Sequence, residues 1–84
     1  MYYVYVLKSA KDSRIYTGFT SNLRRRIFEH NQGLVESTRN RQPLELIYYE
    51  AYKNEQDARN REQYLKSGGK SRSEIKNQLK YSLA

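Results

Sequence analysis

The run Tyr2 to Lys8, YYVYVLK, constrains the fold more than any other stretch of the chain. It is aromatic and β-branched with no polar alternation, the composition of a strand covered on both faces. It therefore predicts a central strand. Ser9 to Arg14 (SAKDSR) is polar and turn-prone, and Ile15 to Phe19 has the character of a second, short strand, so the two predict an antiparallel hairpin. Alternation puts Tyr3, Tyr5 and Leu7 on one side of the first strand, and Tyr16 and Gly18 on one side of the second. Gly18 is expected to end that strand, where the missing side chain lets another group or a ligand approach the backbone closely.

The next segment reads as a helix. Thr20, Ser21 and Asn22 supply capping oxygens, and Gly33 stops a helix that runs to about Asn31. Leu23, Arg26, Ile27 and His30 fall within one sector of roughly a hundred degrees, so Arg26 and His30 lie one turn apart on the same face. Arg24 and Arg25 point elsewhere and read as solvated charge. Gly33 to Pro43 is a polar, basic loop carrying Arg39 and Arg41, which suits either a phosphate backbone or a solvated connector. Leu44 to Tyr52 (LELIYYEAY) predicts a third strand. Asn54 then caps a helix with Glu55 and Asp57 in its first turn, where negative charge suits the dipole.

On that second helix Ala58, Arg61, Glu62 and Leu65 share a face, which places Glu62 in the stripe that meets the core. A carboxylate there must be paired or bind a cation. Gly68 and Gly69 break the helix. Ile75, Leu79 and Leu83, at four-residue spacing, predict a final helix with a core-facing stripe. The expected class is α+β.

At 84 residues the chain has room for one domain, residues 1–84, and no internal repeat or linker divides it. No apolar run is long enough to span a bilayer, and the N-terminus lacks the layout of a secretory signal, so a soluble, cytoplasmic protein is expected. Without cysteine there is no thiolate for zinc or redox chemistry, and a single histidine cannot build a multi-histidine site. Any metal must be a hard ion held by oxygen. The formal charge of +7 points to a polyanionic partner, nucleic acid first, because cations that neutralise phosphates gain free energy from counterion release.

Taken in order, Tyr3-Val4-Tyr5, Tyr16-Thr17-Gly18, Arg26, His30 and the stretch Ala58 to Lys66 (ARNREQYLK) with Glu62 resemble the GIY-YIG nuclease domain. The likeness covers nearly the whole chain and is nearest to small single-domain members of the UPF0213 type. Tyr3, Val4 and Thr17 depart from the eponymous triplets at positions that serve backbone and packing. The resemblance implies a small three-stranded antiparallel sheet flanked by about three helices, in agreement with the elements read above.

It also implies a metal-dependent endonuclease acting on phosphodiester bonds, with Tyr5, Tyr16, Arg26, His30 and Glu62 as catalytic residues and Glu62 as the ligand of Mg²⁺ or Mn²⁺. Mg²⁺ suits a single carboxylate, since it keeps waters and takes phosphate oxygens for its other positions. Arg26 offers a charged fork to the scissile phosphate. Tyr5 or Tyr16 is a candidate general base or water-orienting group, and a phenol needs nearby cations to ionise near neutrality. His30 is a hydrogen-bond partner for a tyrosine or a proton acceptor. Asn77 is the one nearby match to a late asparagine of the family, and it reads equally well as helix surface. Arg24, Arg25, Arg39, Arg41, Lys66 and Lys70 are the candidate nucleic-acid contacts. The expected substrate is DNA recognised by shape, met as a monomer or with a targeting protein. Two other readings stay open: a binding module of the same fold that cleaves weakly or not at all, and a basic domain that docks acidic protein.

Overall fold

A computed structural model describes residues 1–84 and places β1 (Tyr2–Ser9) between β2 (Ile15–Thr20) and β3 (Leu44–Tyr52) in an antiparallel sheet of order β2-β1-β3. The central position follows from composition: Val4, Tyr5, Val6 and Leu7 are all buried, so both faces of β1 are covered. Three helices supply the cover, α1 (Leu23–Asn31), α2 (Glu55–Lys66) and α3 (Lys70–Gln78). This is the expected α+β architecture.

Alternation along β1 divides the core in two. Val4 and Val6 pack with Ala58, Leu65, Ile75 and Leu79 of the α2–α3 layer. Tyr5 and Leu7 pack on the opposite face with Leu44, Leu46, Tyr16 and the α1 residues Leu23 and Ile27. The third strand breaks strict alternation, and a bulge accommodates it: Val6 pairs with Tyr48 but Leu7 with Leu46, leaving Ile47 as the extra residue. Ile47 and Tyr48 thus both meet the α2–α3 layer, while Leu46 and Tyr49 turn to the α1 face.

Local signals set the helix ends. The Asn22 side chain accepts from the Arg25 amide, and Asn54 does the same for Gln56. Gly33, Gly68 and Gly69 hold positive φ after α1 and α2, the conformation their position requires. Asn31 brackets the start of β3, accepting from the Leu44 amide at 2.8 Å and donating to its carbonyl at 2.9 Å, which fixes α1 against the sheet.

Three expectations need correction. The last helix ends at Gln78, with Leu79 as its cap, and Leu83 packs on the core from beyond the helix. The segment 33–43 contains a short 3₁₀ turn, Arg39–Arg41, and buries Val35 and Thr38. Gly18 does not end β2; the strand runs on to Thr20, with Gly18 paired to Tyr5. The group that approaches its backbone is the Tyr5 phenol, which a Cβ at position 18 would overlap.

Because the native φ of Gly18 is open to any residue, the cost of a side chain there is steric alone. Gly18→Ala is expected to lower stability to urea by about 2 kcal/mol, and by clearly less in a Tyr5→Leu background. Equal costs in the two backgrounds would mean that the glycine is not there to seat the tyrosine.

Candidate active site

The α1 face of the sheet carries a buried polar chain. The Tyr5 hydroxyl lies 2.8 Å from His30 Nε2, and His30 Nδ1 lies 2.7 Å from the Thr38 hydroxyl. Tyr5, His30 and Thr38 are all at most 1% exposed. Each comes from a different segment: β1, α1 and the loop after α1. Burial, with Arg26 adding to it, lowers the His30 pKa to about 4, so the imidazole is neutral at pH 7. Neutrality permits two proton arrangements. Either Tyr5 donates to Nε2 and Nδ1 donates to Thr38, or Thr38 donates to Nδ1 and Nε2 donates to Tyr5.

Burial also pushes the Tyr5 phenol up to about 12; Arg26 pulls it down, and Tyr16 and Glu62 add to the rise. Tyr5 is therefore a protonated phenol at neutral pH, which revises its candidacy as the general base. Of the groups present, Arg26 alone does not offset the desolvation.

Tyr16 stands in a different position. Its ring centroid is 6.4 Å from that of Tyr5 and 5.1 Å from that of His30, and its hydroxyl makes no hydrogen bond. It is partly exposed, on an edge strand. Arg26 reaches the same region from α1, one guanidinium nitrogen bound to Glu29 at 3.1 Å and its side chain 36% exposed. From α2, the Lys66 ammonium sits 5.7 Å from the centre of the Tyr16 ring and 2.9 Å from the Glu62 carboxylate. Glu62 is thus paired with Lys66, as a carboxylate in that stripe requires unless it binds a cation. Its other oxygen makes no hydrogen bond, and its side chain keeps 20% of its surface open.

All five residues expected at the chemistry belong to one neighbourhood, two of them, Tyr5 and His30, behind the surface. The candidate nucleic-acid contacts scatter. Lys66 belongs to the site. Arg24 borders a separate groove with Tyr3, Leu23, Ile27, Leu46 and Tyr49. Arg25 is exposed and pairs loosely with Glu29 at 3.6 Å. Arg39 and Lys70 are exposed, and Asn77 is exposed on α3. Arg41 is tied to Asp12 at 3.3 Å near the far end of the hairpin. Sequence reasoning missed Thr38, which holds the second nitrogen of His30, and Glu29, which orients Arg26. Neither lies in a recognisable motif, although the i,i+3 spacing of Arg26 and Glu29 is a visible signal.

The neutral His30 has a measurable consequence. Its folded pKa is depressed below the ordinary 6.5 to about 4, so its stabilising contribution is complete above pH 6.5 and is lost as pH falls toward 4. It is the chain's one histidine, and carboxylates titrate lower. The free energy of urea unfolding is expected to fall by about 2 kcal/mol between pH 7 and pH 5. A flat profile there would mean that His30 accepts a proton within the fold.

The comparisons with known proteins bear on family and fold. The family model of the GIY-YIG catalytic domain matches residues 1–77. A UPF0213 protein of Clostridium perfringens is 48% identical over 67 residues, covering 79% of this chain and 71% of that protein. Another from Pediococcus acidilactici is 40% identical over 83 residues, covering 95% and 79%. The solution NMR structure of a UPF0213 protein of Bacillus halodurans superposes with a TM-score of 0.60 at 33% identity, covering 99% of this chain and 93% of that one. No helix is long and apolar enough to cross a membrane. On these matches the chain belongs to the GIY-YIG domain family, among its UPF0213 proteins.

Proposed function

We propose that this protein is a metal-dependent endonuclease that hydrolyses phosphodiester bonds in DNA, with Tyr16, Arg26 and Glu62 meeting the substrate. The observation that carries the reading is the convergence of those three side chains, from β2, α1 and α2, around the buried Tyr5–His30 pair. Family membership supports nuclease chemistry in general; the choice of DNA, the metal and the residue roles are inferences from the site.

The donor set fits a hard divalent ion only in part supplied by protein. No three metal-binding side chains cluster, so there is no all-protein cage. Glu62 offers one carboxylate oxygen without a hydrogen bond, which matches an ion that completes its shell with water and substrate oxygens. Mg²⁺ or Mn²⁺ held there supplies positive charge against the phosphoryl and departing oxygens.

The chain's own groups do the rest. Arg26, steered by Glu29, donates its remaining N–H groups to the non-bridging oxygens of the scissile phosphate. The unpartnered Tyr16 hydroxyl orients the water whose oxygen attacks phosphorus as the bond to the sugar oxygen breaks; the water gives up a proton to solvent and the departing sugar oxygen takes one from solvent, leaving a phosphomonoester and a hydroxyl. Lys66, beside Tyr16, faces the same anionic substrate. Tyr5 and His30 position these groups from below and do not touch substrate.

The Glu62–Lys66 pair favours a second reading, a binding module of the same fold in which the carboxylate is permanently engaged. One assay separates the two. Nicking of supercoiled plasmid and cleavage of branched or single-stranded DNA are measured with Mg²⁺, Mn²⁺ or EDTA. Cleavage by the wild-type protein is expected in metal and absent in EDTA. Glu62→Ala and Arg26→Ala are each expected to lose at least about a hundredfold in rate. If wild type cuts nothing while binding DNA in a salt-sensitive way, the binding module stands and the nuclease does not.

A further inference from the structure

At the hairpin end of the sheet five cations from separate segments converge on one groove of 860 Å³: Lys8 of β1, Arg14 of the β1–β2 loop, Arg41 of the 3₁₀ turn, and Arg72 and Lys76 of α3. No acidic side chain lines it. The acids closest by contact or register are Asp12, which pairs with Arg41, and Glu45, which stands opposite Lys8 on β3. Arg14, Arg72 and Lys76 enter no ion pair. Lys8 donates to the Leu83 carbonyl at 2.6 Å. The Nε of Arg41 faces the Asp12 carboxylate at 3.3 Å, and one terminal nitrogen is buried without a hydrogen bond.

The groove connects with the candidate active site. A smaller cavity of 190 Å³ is lined by Tyr16, Thr17, Leu65 and Lys66 and shares Ile15 and Arg72 with the larger groove. Tyr16 and Lys66 belong to the site, so Arg72 is the hinge between the two spaces. Cations thus pass from Lys66 to Arg72 in the smaller cavity and on into the groove that Arg72 shares with Lys8, Arg14, Arg41 and Lys76.

We infer that this groove is the seat of the sugar-phosphate backbone of the DNA strand on one side of the scissile phosphate. The inference rests on the nuclease reading for its ligand, because a cluster of cations, three of them (Arg14, Arg72 and Lys76) without an ionic partner, recognises phosphates in general and continuity with Tyr16 and Lys66 makes them phosphates of the same strand. Arg14, Arg72 and Lys76 are backbone-contacting residues here. They position the strand without reading its bases.

The test is binding measured in EDTA, so that it does not depend on cleavage. Dissociation constants of a labelled single-stranded oligonucleotide and its duplex are measured across a salt series for the wild type, Arg14→Gln, Arg72→Gln, Lys76→Gln and the charge-matched control Lys53→Gln. Each groove variant is expected to weaken binding several-fold at low salt. Each should also flatten the dependence of log Kd on log salt by about 0.7 on the single strand or about 0.9 on the duplex, the loss of one phosphate contact. Lys53→Gln is expected to match the wild type. All three are surface residues, and circular dichroism with urea unfolding confirms that each variant is folded. Equal effects of Lys53→Gln and the groove variants would overturn the groove and leave only diffuse attraction by net charge. So would unchanged binding in the groove variants of a wild type that cleaves DNA; that result would leave the nuclease intact. Loss of salt slope in the groove variants of a protein that cleaves nothing would sustain the groove and sink the nuclease. Failure of the wild type to bind any nucleic acid, with tight binding to an acidic protein instead, would overturn both.

Discussion

The hydrogen-bonded chain from Tyr5 through His30 to Thr38 is the contact on which the α1 half of the molecule depends. Burying an imidazole, a phenol and a hydroxyl in so small a core costs free energy unless every polar atom is satisfied. Here both imidazole nitrogens are, by partners from β1 and from the loop after α1. Shifting any one segment leaves the others with unpaired buried groups. The chain therefore fixes how α1 lies on the sheet, how the 33–43 loop returns to it, and how far the Tyr5 ring reaches over Gly18.

The opposite face has its own polar anchor. Burial raises the Glu50 carboxyl, but hydrogen bonds from Arg61, Tyr48 and Tyr52 outweigh it and hold the group below its usual range. The Arg61 guanidinium binds both Glu50 oxygens between 3.0 and 3.2 Å. Glu50 is on β3, so Arg61 ties one side of α2 to that edge. Glu62 follows a hundred degrees around the helix, and Lys66, one turn on, lies against Tyr16 on β2. With Ala58 and Leu65 over the central strand, α2 straddles the sheet: one flank is anchored at β3, the other presents Glu62 and Lys66 to the site.

Much of this was legible in the chain. The aromatic run of β1, the capping asparagines and the paired glycines after α2 are local signals, and local chemistry places them. The stripe of Leu23, Arg26, Ile27 and His30 also survived, because a helix period is a geometric fact once the helix forms. Contacts between residues far apart in sequence were not legible. The bond of His30 to Thr38, the capture of Glu50 by Arg61 and the seating of Tyr5 over Gly18 depend on how elements meet. The role of Tyr5 shifted for the same reason: its neighbours could be guessed, but its depth could not, and depth outweighs the nearby arginine.

The surface charge makes the point most sharply. A net charge of +7 says only that cations outnumber acids. In the fold, the acids are concentrated where they pair: Glu29 with Arg25 and Arg26, Glu50 with Arg61, Glu55 with Arg59, and Glu62 with Lys66. Those pairs leave α2 balanced, with three acids against three bases, while α1 keeps a net +2 from three arginines and one glutamate; exposed pairs contribute little field beyond a Debye length. Part of the surplus gathers at the hairpin end, where Arg14, Arg72 and Lys76 have no ionic partner. No run of like charge announces that cluster, since the five cations of the groove come from four segments brought together by the fold. A uniformly basic surface would attract DNA in any orientation. On the proposed nuclease reading, a cation cluster beside the candidate site would bias the encounter toward the pose in which a phosphate reaches Arg26 and Tyr16.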